Sequence, residues 1–158
     1  METVKGITGV ETKNQFNPGI NEKPSVEVIV IEDNHLVNMV LSKALNSTIK
    51  TIQNLKNIYI KFSRFHRGGD FLDYLENNDF SESRLIVFSD YFLEDSINGS
   101  QILKSIKQKK TDATVVIVSD TTNPHIPLDI VNLGAHSFIP KGNKAPVLCS
   151  GILFQKVV

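Results

Sequence analysis

Cysteine is scarce in this sequence, since Cys149 is the single cysteine among 158 residues. An internal disulfide is therefore excluded, and so is a metal site built from several cysteines. We expect the protein to reside in a reducing compartment, the cytoplasm. The N-terminal residues lack an apolar stretch of signal-peptide length, and the longest wholly apolar runs, such as residues 85–88 and 115–118, have the length of strands. We therefore predict no membrane insertion.

The sequence also lacks an excess of charge of either sign. It contains 17 lysines and arginines and 17 aspartates and glutamates, so its formal net charge is zero. Proteins that bind nucleic acids usually carry a basic surplus, and neither a helix-turn-helix pattern nor zinc-finger spacing is present. We therefore expect no nucleic acid partner.

The chain divides into a short polar segment and one domain. Residues 1–25 are polar and contain the breakers Pro18, Gly19 and Pro24, which predicts a flexible N-terminal tail. From Val26 to Val158, short β-branched runs alternate with segments of helical periodicity. The length of the chain fits one such domain with a tail.

The alternating segments predict five β/α units, with strands over residues 26–31, 58–65, 85–89, 114–118 and 136–139. Strict alternation with short connections implies an α/β fold, a doubly wound five-stranded parallel sheet with helices on both faces. The flavodoxin-like order 2-1-3-4-5 is the leading arrangement, and it places a crevice at the carboxyl ends of strands 1 and 3. Asn34 is expected to cap the first helix, and a loop or frayed turn is expected after that helix. The predicted apolar stripe of this helix consists of Leu36, Val37, Val40, Leu41, Ala44 and Leu45.

Polar residues interrupt the apolar runs at their carboxyl ends. Glu32 and Asp33 follow strand 1, Asp90 follows strand 3, Ser119 ends strand 4 and Lys141 follows strand 5. Three carboxylates that converge on one rim repel each other unless a cation or a proton intervenes, and hard oxygen ligands suit Mg²⁺. A carboxylate is a competent nucleophile for phosphoryl transfer, and a lysine and a hydroxyl can supply charge and hydrogen bonds to the transferred group. The pattern therefore predicts an aspartyl-phosphate site.

Each of these residues also has an ordinary structural interpretation. An acidic pair or a lone aspartate after a strand is often a solvated turn or a helix cap. Taken alone, Ser119 would be a turn residue, Lys141 a solvated charge and Phe138 a core residue. The functional interpretation depends on all of them occurring together and in order.

Five short motifs carry a resemblance to a known family: VIVIEDN, LIVFSD, the NG pair before the third helix, TVVIVS and GAHSFIPK. Together they resemble the receiver domain of bacterial two-component response regulators, over about residues 26–158. The resemblance implies a stand-alone signalling domain rather than an enzyme, limited to its own phosphorylation and dephosphorylation.

The resemblance further implies an acceptor and a metal site. A sensor histidine kinase or a histidine phosphotransfer protein would donate a phosphoryl group to Asp90, with Mg²⁺ bound. The metal would be held by Glu32, Asp33 and Asp90, together with the backbone carbonyl of Phe92.

A switch is implied as well. Ser119 and Lys141 would contact the phosphoryl group, Ser119 would move toward it, and Phe138 would rotate inward. These movements would remodel the face formed by helix 4, strand 5 and helix 5, where a downstream protein or a second copy of the chain, as a homodimer, would bind. We expect no output domain after Val158, so the signal would pass to a separate protein.

The sequence departs from the family pattern at several positions. The loop after Asp90, YFLEDSING, is one residue longer than the commonest form and has Glu94 where proline is frequent. Asp120 stands where the family usually has a small residue, and Gly142 replaces the proline that usually follows the lysine.

Two alternative functions stand beside the receiver. One is a pseudo-receiver, an interaction module that does not turn over phosphate, which Asp120 and the altered loop favour. The other is a phosphohydrolase with an aspartate nucleophile, which commonly needs a second carboxylate two residues after the nucleophile. Phe92 occupies that position and argues against hydrolysis of external substrates.

Overall fold

The computed structural model describes residues 18–19 and 22–158. The tail predicted over residues 1–25 falls largely outside this range and stays a prediction. Within the range, no helix combines the length and the apolar character needed to cross a membrane.

Strands and helices alternate throughout the described domain, as predicted. The strands are β1 (Val26–Ile31), β2 (Ile60–Phe65), β3 (Arg84–Ser89), β4 (Thr114–Ser119) and β5 (Ser137–Pro140). The helices are α1 (His35–Lys56), α2 (Gly68–Asn77), α3 (Gly99–Lys109), α4 (His125–Asn132) and α5 (Ala145–Val157).

The strands form one parallel sheet in the order β2-β1-β3-β4-β5, which confirms the predicted flavodoxin-like arrangement. All residues of β1 are buried, because this strand lies inside the sheet and helices cover both of its faces. Its Val- and Ile-rich sequence is typical of such a strand.

Two apolar layers stabilise the sheet. Val28 and Val30 of β1 pack on the side of α1 and α5, in a cluster with residues such as Leu45. Ile29 and Ile31 point the opposite way, into a cluster that contains residues of α2, α3 and α4. The alternation along β1 is the two-residue period of a strand, so one short segment stabilises both layers.

The predicted apolar stripe of α1 is partly wrong. Leu41 and Leu45 are buried, but Leu36 is 64% exposed and Val40 is 47% exposed. The buried row of α1 also contains Asn38 and Ser42 and continues to Ile49 and Ile52, because the helix runs to Lys56 instead of ending in an early loop.

Hydrogen bonds of Asn38 explain this orientation of α1. Its side-chain Nδ2 donates to the carbonyl oxygens of Glu32 at 2.9 Å and of Phe65 at 3.2 Å, beyond the end of β1 and at the end of β2. Its Oδ1 accepts from the hydroxyl of Ser42 at 3.1 Å. Asn38 therefore provides a donor to the Glu32 carbonyl and a second donor to the Phe65 carbonyl, which also accepts from the Glu32 amide. These bonds compensate the burial of a polar side chain that lies outside the predicted stripe.

Side-chain caps begin two of the helices, one of which was predicted. Asn34 Oδ1 accepts from the Val37 amide at 3.0 Å at the start of α1, which confirms the predicted cap. Asn98 and Gln101 form a reciprocal capping box at the start of α3.

Gly99 lies where the chain after β3 folds back on itself. Its amide donates to the carbonyl of Tyr91 at 2.7 Å. A Cβ atom at this position would lie 2.9 Å from both Cα and Cδ2 of Tyr91. The close approach of the two backbone segments therefore requires glycine here.

Two glycine-to-alanine substitutions test this close approach. We expect Gly99→Ala to lower the free energy of unfolding by about 1–3 kcal/mol, because the new methyl group must displace Tyr91. Gly151→Ala is the matched control, since Gly151 is exposed within α5 and a Cβ there meets no atom within 4 Å. We expect it to stabilise the protein by about 0.5–1 kcal/mol. Urea denaturation measures both, and equal stability of Gly99→Ala and the parent would contradict the argument.

Candidate functional site

The carboxyl ends of four strands bring the predicted residues to one rim of the sheet. Ile31 at the end of β1 lies opposite Ser89 of β3, and Ser119 at the end of β4 lies opposite Pro140 of β5. The Asp90 amide donates to the carbonyl of Ile31 at 2.9 Å, which joins the chain after β3 to the end of β1. The residues gathered at this rim are Glu32, Asp33, Asp90, Ser119 and Lys141.

Three carboxylates form a cluster on the rim. One oxygen from each of Glu32, Asp33 and Asp90 lies within 4.8 Å of the others. Glu32 is 2% exposed and Asp90 is 5% exposed, whereas Asp33 is partly exposed. Their mutual repulsion in a buried place must be offset by a positive charge or by protonation.

Lys141 supplies a positive charge to this cluster. Its Nζ lies 2.8 Å from Oδ2 of Asp90 and 2.8 Å from Oε2 of Glu32. Its backbone amide donates to the carbonyl of Ser119 at 3.1 Å, which places the residue directly beside the end of β4. One ammonium therefore joins two buried carboxylates from different strands.

Burial and hydrogen bonding shift the pKa values of Glu32 and Lys141. Burial raises the pKa of Glu32, although hydrogen bonds from Lys141 and from the Asn34 amide oppose the effect. Burial lowers the pKa of Lys141, but its hydrogen bonds to Asp90 and Glu32 outweigh this effect and leave the pKa above its ordinary value. The ammonium therefore stays charged at neutral pH.

Asp90 is held by donors on both of its oxygens. Oδ1 accepts from the Ser119 hydroxyl at 2.8 Å, from the Tyr91 amide at 2.6 Å and from the Phe92 amide at 3.3 Å. Oδ2 accepts from Lys141. The carboxylate is therefore fixed in orientation and surrounded by groups that stabilise negative charge.

The donor set of the cluster fits a hard divalent cation. Three carboxylates with one partly exposed member can offer oxygen ligands and leave positions for water, as Mg²⁺ prefers. Two of these carboxylates also have partners that orient them, because the Asn34 amide donates to Glu32 at 3.0 Å and the Glu94 amide donates to Asp33 at 2.9 Å. Such outer contacts are a regular part of metal sites.

The two predicted aromatic site residues lie near the rim. Phe92 has a 53% exposed side chain and reaches Asp90 through its amide; the metal contact of its carbonyl stays a prediction. Phe138 of β5 is partly buried and packs against the cluster of α2, α3 and α4. Its rotation on activation also stays a prediction.

Sequence reasoning missed three supporting contacts at this rim. Asn38 binds the carbonyl of Glu32, the Tyr91 amide binds Asp90, and the Glu94 amide binds Asp33. Asn38 lies outside the predicted apolar stripe, so helical periodicity carried no signal for its contact. Backbone amides give no signal, because every residue except proline has one.

The family model of the response regulator receiver domain matches residues 28–152. No curated protein matches the chain. Solved structures that resemble it are receiver domains, and at these identities the likeness establishes the fold alone.

Three of these structures illustrate the likeness. The receiver domain of Francisella response regulator 1452 has 14% identity and a TM-score of 0.62, over 86% of this chain and 100% of that one. The receiver domain of RcsB from Salmonella enterica serovar Typhimurium, in the presence of phosphomimetic BeF3-, has 18% identity and a TM-score of 0.64, over 84% and 89%. The response regulator domain of Thermotoga maritima CheB has 21% identity and a TM-score of 0.59, over 84% and 92%.

The lysine bridge has a pH-dependent consequence for stability. In the presence of EDTA at neutral pH, we expect Lys141→Met to cost about 1–3 kcal/mol, because it leaves two buried carboxylates without their cation. Loss of the ammonium also removes an interaction that lowers the pKa of Glu32, so the pKa rises further above its unfolded value. A raised carboxyl pKa favours the folded state as the pH falls, so the cost of the substitution should shrink between about pH 8 and about pH 5.

Urea denaturation across that pH range measures the effect. Lys144→Met is the control, since Lys144 is an exposed lysine on the same connection. A cost for Lys141→Met that does not change with pH would contradict this account of the bridge.

Proposed function

The chain belongs to the response regulator receiver domain family, and from this premise we propose that it is a phosphorylatable switch of two-component signalling whose acceptor is Asp90. A receiver domain is a signalling domain, so the chemistry in question is its own phosphorylation and loss of the phosphoryl group. The cytoplasm is the proposed compartment, in keeping with the single, buried Cys149.

The observation that carries this proposal is the environment of the Asp90 carboxylate. The side chain is buried at the rim, and the Ser119 hydroxyl and the Lys141 ammonium each lie 2.8 Å from one of its oxygens. The first requirement for phosphoryl transfer is a nucleophile, and a carboxylate needs little activation for this role. The second is positive charge and hydrogen-bond donors around the oxygens of the transferred group. Both requirements are met within one cluster of side chains.

The reaction begins with a phosphohistidine of a sensor kinase or a phosphotransfer protein. An oxygen of Asp90 attacks the phosphorus, a new O–P bond forms, and the N–P bond to the donor imidazole breaks. The imidazole nitrogen leaves with the electron pair and takes up a proton. The Tyr91 and Phe92 amides hold the carboxylate during the attack, and Lys141 and Ser119 transfer their hydrogen bonds to phosphoryl oxygens.

Glu32, Asp33 and Asp90, with the carbonyl of Phe92, are the residues that would hold Mg²⁺. When bound, the metal neutralises negative charge on the transferred group. The clustering of the three carboxylate oxygens within 4.8 Å supports this assignment.

An apolar groove beside Lys141 supports contact with the phosphoryl donor. It is lined by residues of the starts of α1 and α5, among them Leu36, Val40, Ala145 and Pro146. Leu36 and Val40 are the two residues that the predicted stripe placed in the core and that are exposed instead. A donor that reaches Asp90 must pass over this rim, so the groove is available to it.

The output would pass through Ser119 and Phe138. Movement of Ser119 toward the phosphoryl group frees space near the end of β4, and rotation of Phe138 remodels the face of α4, β5 and α5. Leu128 and Val131 of α4 are 60% and 50% exposed, which supports a downstream protein or a second copy of the chain as the partner.

Phosphorylation is tested by intact mass after incubation with Mg²⁺ and acetyl phosphate. We expect a gain of one phosphoryl group in the parent, no gain in Asp90→Asn, and no gain when EDTA removes the metal. Asp73→Asn is the matched control, since Asp73 is exposed on α2 and lies outside the acidic cluster. A folded parent that gains no mass and does not bind beryllofluoride would instead be a pseudo-receiver, and release of inorganic phosphate from unrelated phosphomonoesters would indicate a phosphohydrolase.

Metal binding is tested by calorimetric titration with Mg²⁺. We expect Asp33→Asn to weaken binding by about tenfold or more, because an amide replaces a charged oxygen ligand of a hard cation. Asp73→Asn again serves as the control and should leave the affinity close to that of the parent. Equal losses in the two variants would mean that general charge, rather than ligation by Asp33, attracts the cation.

A further inference from the structure

The loop between β3 and α3, residues 91–98, is closed at its base. Phe92 and Asn98 form an antiparallel bridge, and the Gly99 amide donates to the carbonyl of Tyr91. Ser96 has a positive φ of 66°, which turns the chain near the tip of the loop. The loop therefore has a defined shape between two fixed ends.

The tip of this loop packs against the start of α2. Leu93 is buried, and both Leu93 and Ile97 approach Gly68 so closely that a Cβ atom there would lie 3.1 Å from their side chains. Asp95 Oδ2 accepts a hydrogen bond of 2.8 Å from the amide of Gly69. The residue that precedes α2, Arg67, makes no side-chain cap, so Asp95 caps this helix from a distant part of the chain.

The same loop contacts the acidic cluster through the residue next to Asp95. The Glu94 amide donates to Oδ2 of Asp33 at 2.9 Å. The Glu94 amide lies in the planar peptide that joins Leu93 to Glu94. The buried Leu93 on one side and the anchor of Asp95 on α2 on the other therefore restrict where this amide can lie. The Glu94 side chain is exposed and takes no part in this arrangement.

We propose that Asp95 is a positioning residue for the metal site: by capping α2 it holds the loop so that the Glu94 amide orients Asp33. This inference rests on the proposed function, because it assigns Mg²⁺ to the cluster that contains Asp33. Outer contacts that orient a ligand typically change metal affinity by about 10–100-fold. Asp95 acts on Asp33 only through Glu94, so we expect a change in Mg²⁺ affinity at the lower end of that range.

Three variants separate position from charge. Asp95→Ala removes the cap and one negative charge. Asp95→Asn removes the charge but keeps an oxygen that can accept from Gly69. Glu94→Ala removes the same charge from the neighbouring residue and keeps the backbone amide that binds Asp33. Circular dichroism and urea denaturation check that each variant is folded.

The first measurement is Mg²⁺ affinity by calorimetry. We expect Asp95→Ala to bind about tenfold more weakly than the parent, and Asp95→Asn and Glu94→Ala to bind within about twofold of it. The second measurement is hydrogen exchange of the Glu94 amide by NMR in the metal-free protein. Exchange should accelerate in Asp95→Ala and remain slow in Asp95→Asn.

The outcomes distinguish this inference from the proposed function. Absence of Mg²⁺ binding by the parent would overturn both. Binding by the parent with unchanged affinity in Asp95→Ala would overturn the positioning role alone. Equal weakening in Asp95→Ala, Asp95→Asn and Glu94→Ala would also overturn it, because loop charge would then account for the effect.

Discussion

Lys141 places a single ammonium group 2.8 Å from an oxygen of Asp90 and 2.8 Å from an oxygen of Glu32. The rest of the rim depends on this arrangement, because two buried carboxylates of like charge would otherwise favour their protonated forms. One ammonium does not balance three carboxylates, so the cluster retains an excess of negative charge. That excess makes the rim suited to a divalent cation.

The apolar sheet offsets the energetic cost of burying charged groups at the rim. Burial of polar and charged groups destabilises the folded state unless they are paired, and the strands behind the rim offset that cost with apolar surface on both faces. Apart from Glu27 in β1, the interiors of the central strands β1, β3 and β4 are largely apolar, and polar residues lie at their carboxyl ends. Residues that stabilise the fold and residues that form the acidic cluster are therefore neighbours along the same strands.

Contacts behind the acidic cluster tie other parts of the fold to it. Asn38 of α1 binds the carbonyl of Glu32, and the Glu94 amide binds Asp33. Asp95 fixes the same loop to the start of α2. Helix α1 and the loop after β3 thus meet at the acidic cluster, and helix α2 is joined to the cluster through that loop.

The sequence by itself determined the fold class, the strand order and the residues of the rim, because these follow from local features. β1 is an apolar run with polar residues directly after it, Asn34 caps a helix through an amide three residues away, and parallel strands bring their carboxyl ends together. The rotation of α1 was decided only by tertiary structure. Leu36, inside the predicted stripe, is exposed, and Asn38, outside it, is buried because it binds the carbonyls of Glu32 and Phe65. The contacts of Glu94 and Asp95 were likewise decided by tertiary structure. They join backbone amides and carboxylates that are far apart in the chain, and no pattern of residue types records where a loop will bring such groups together.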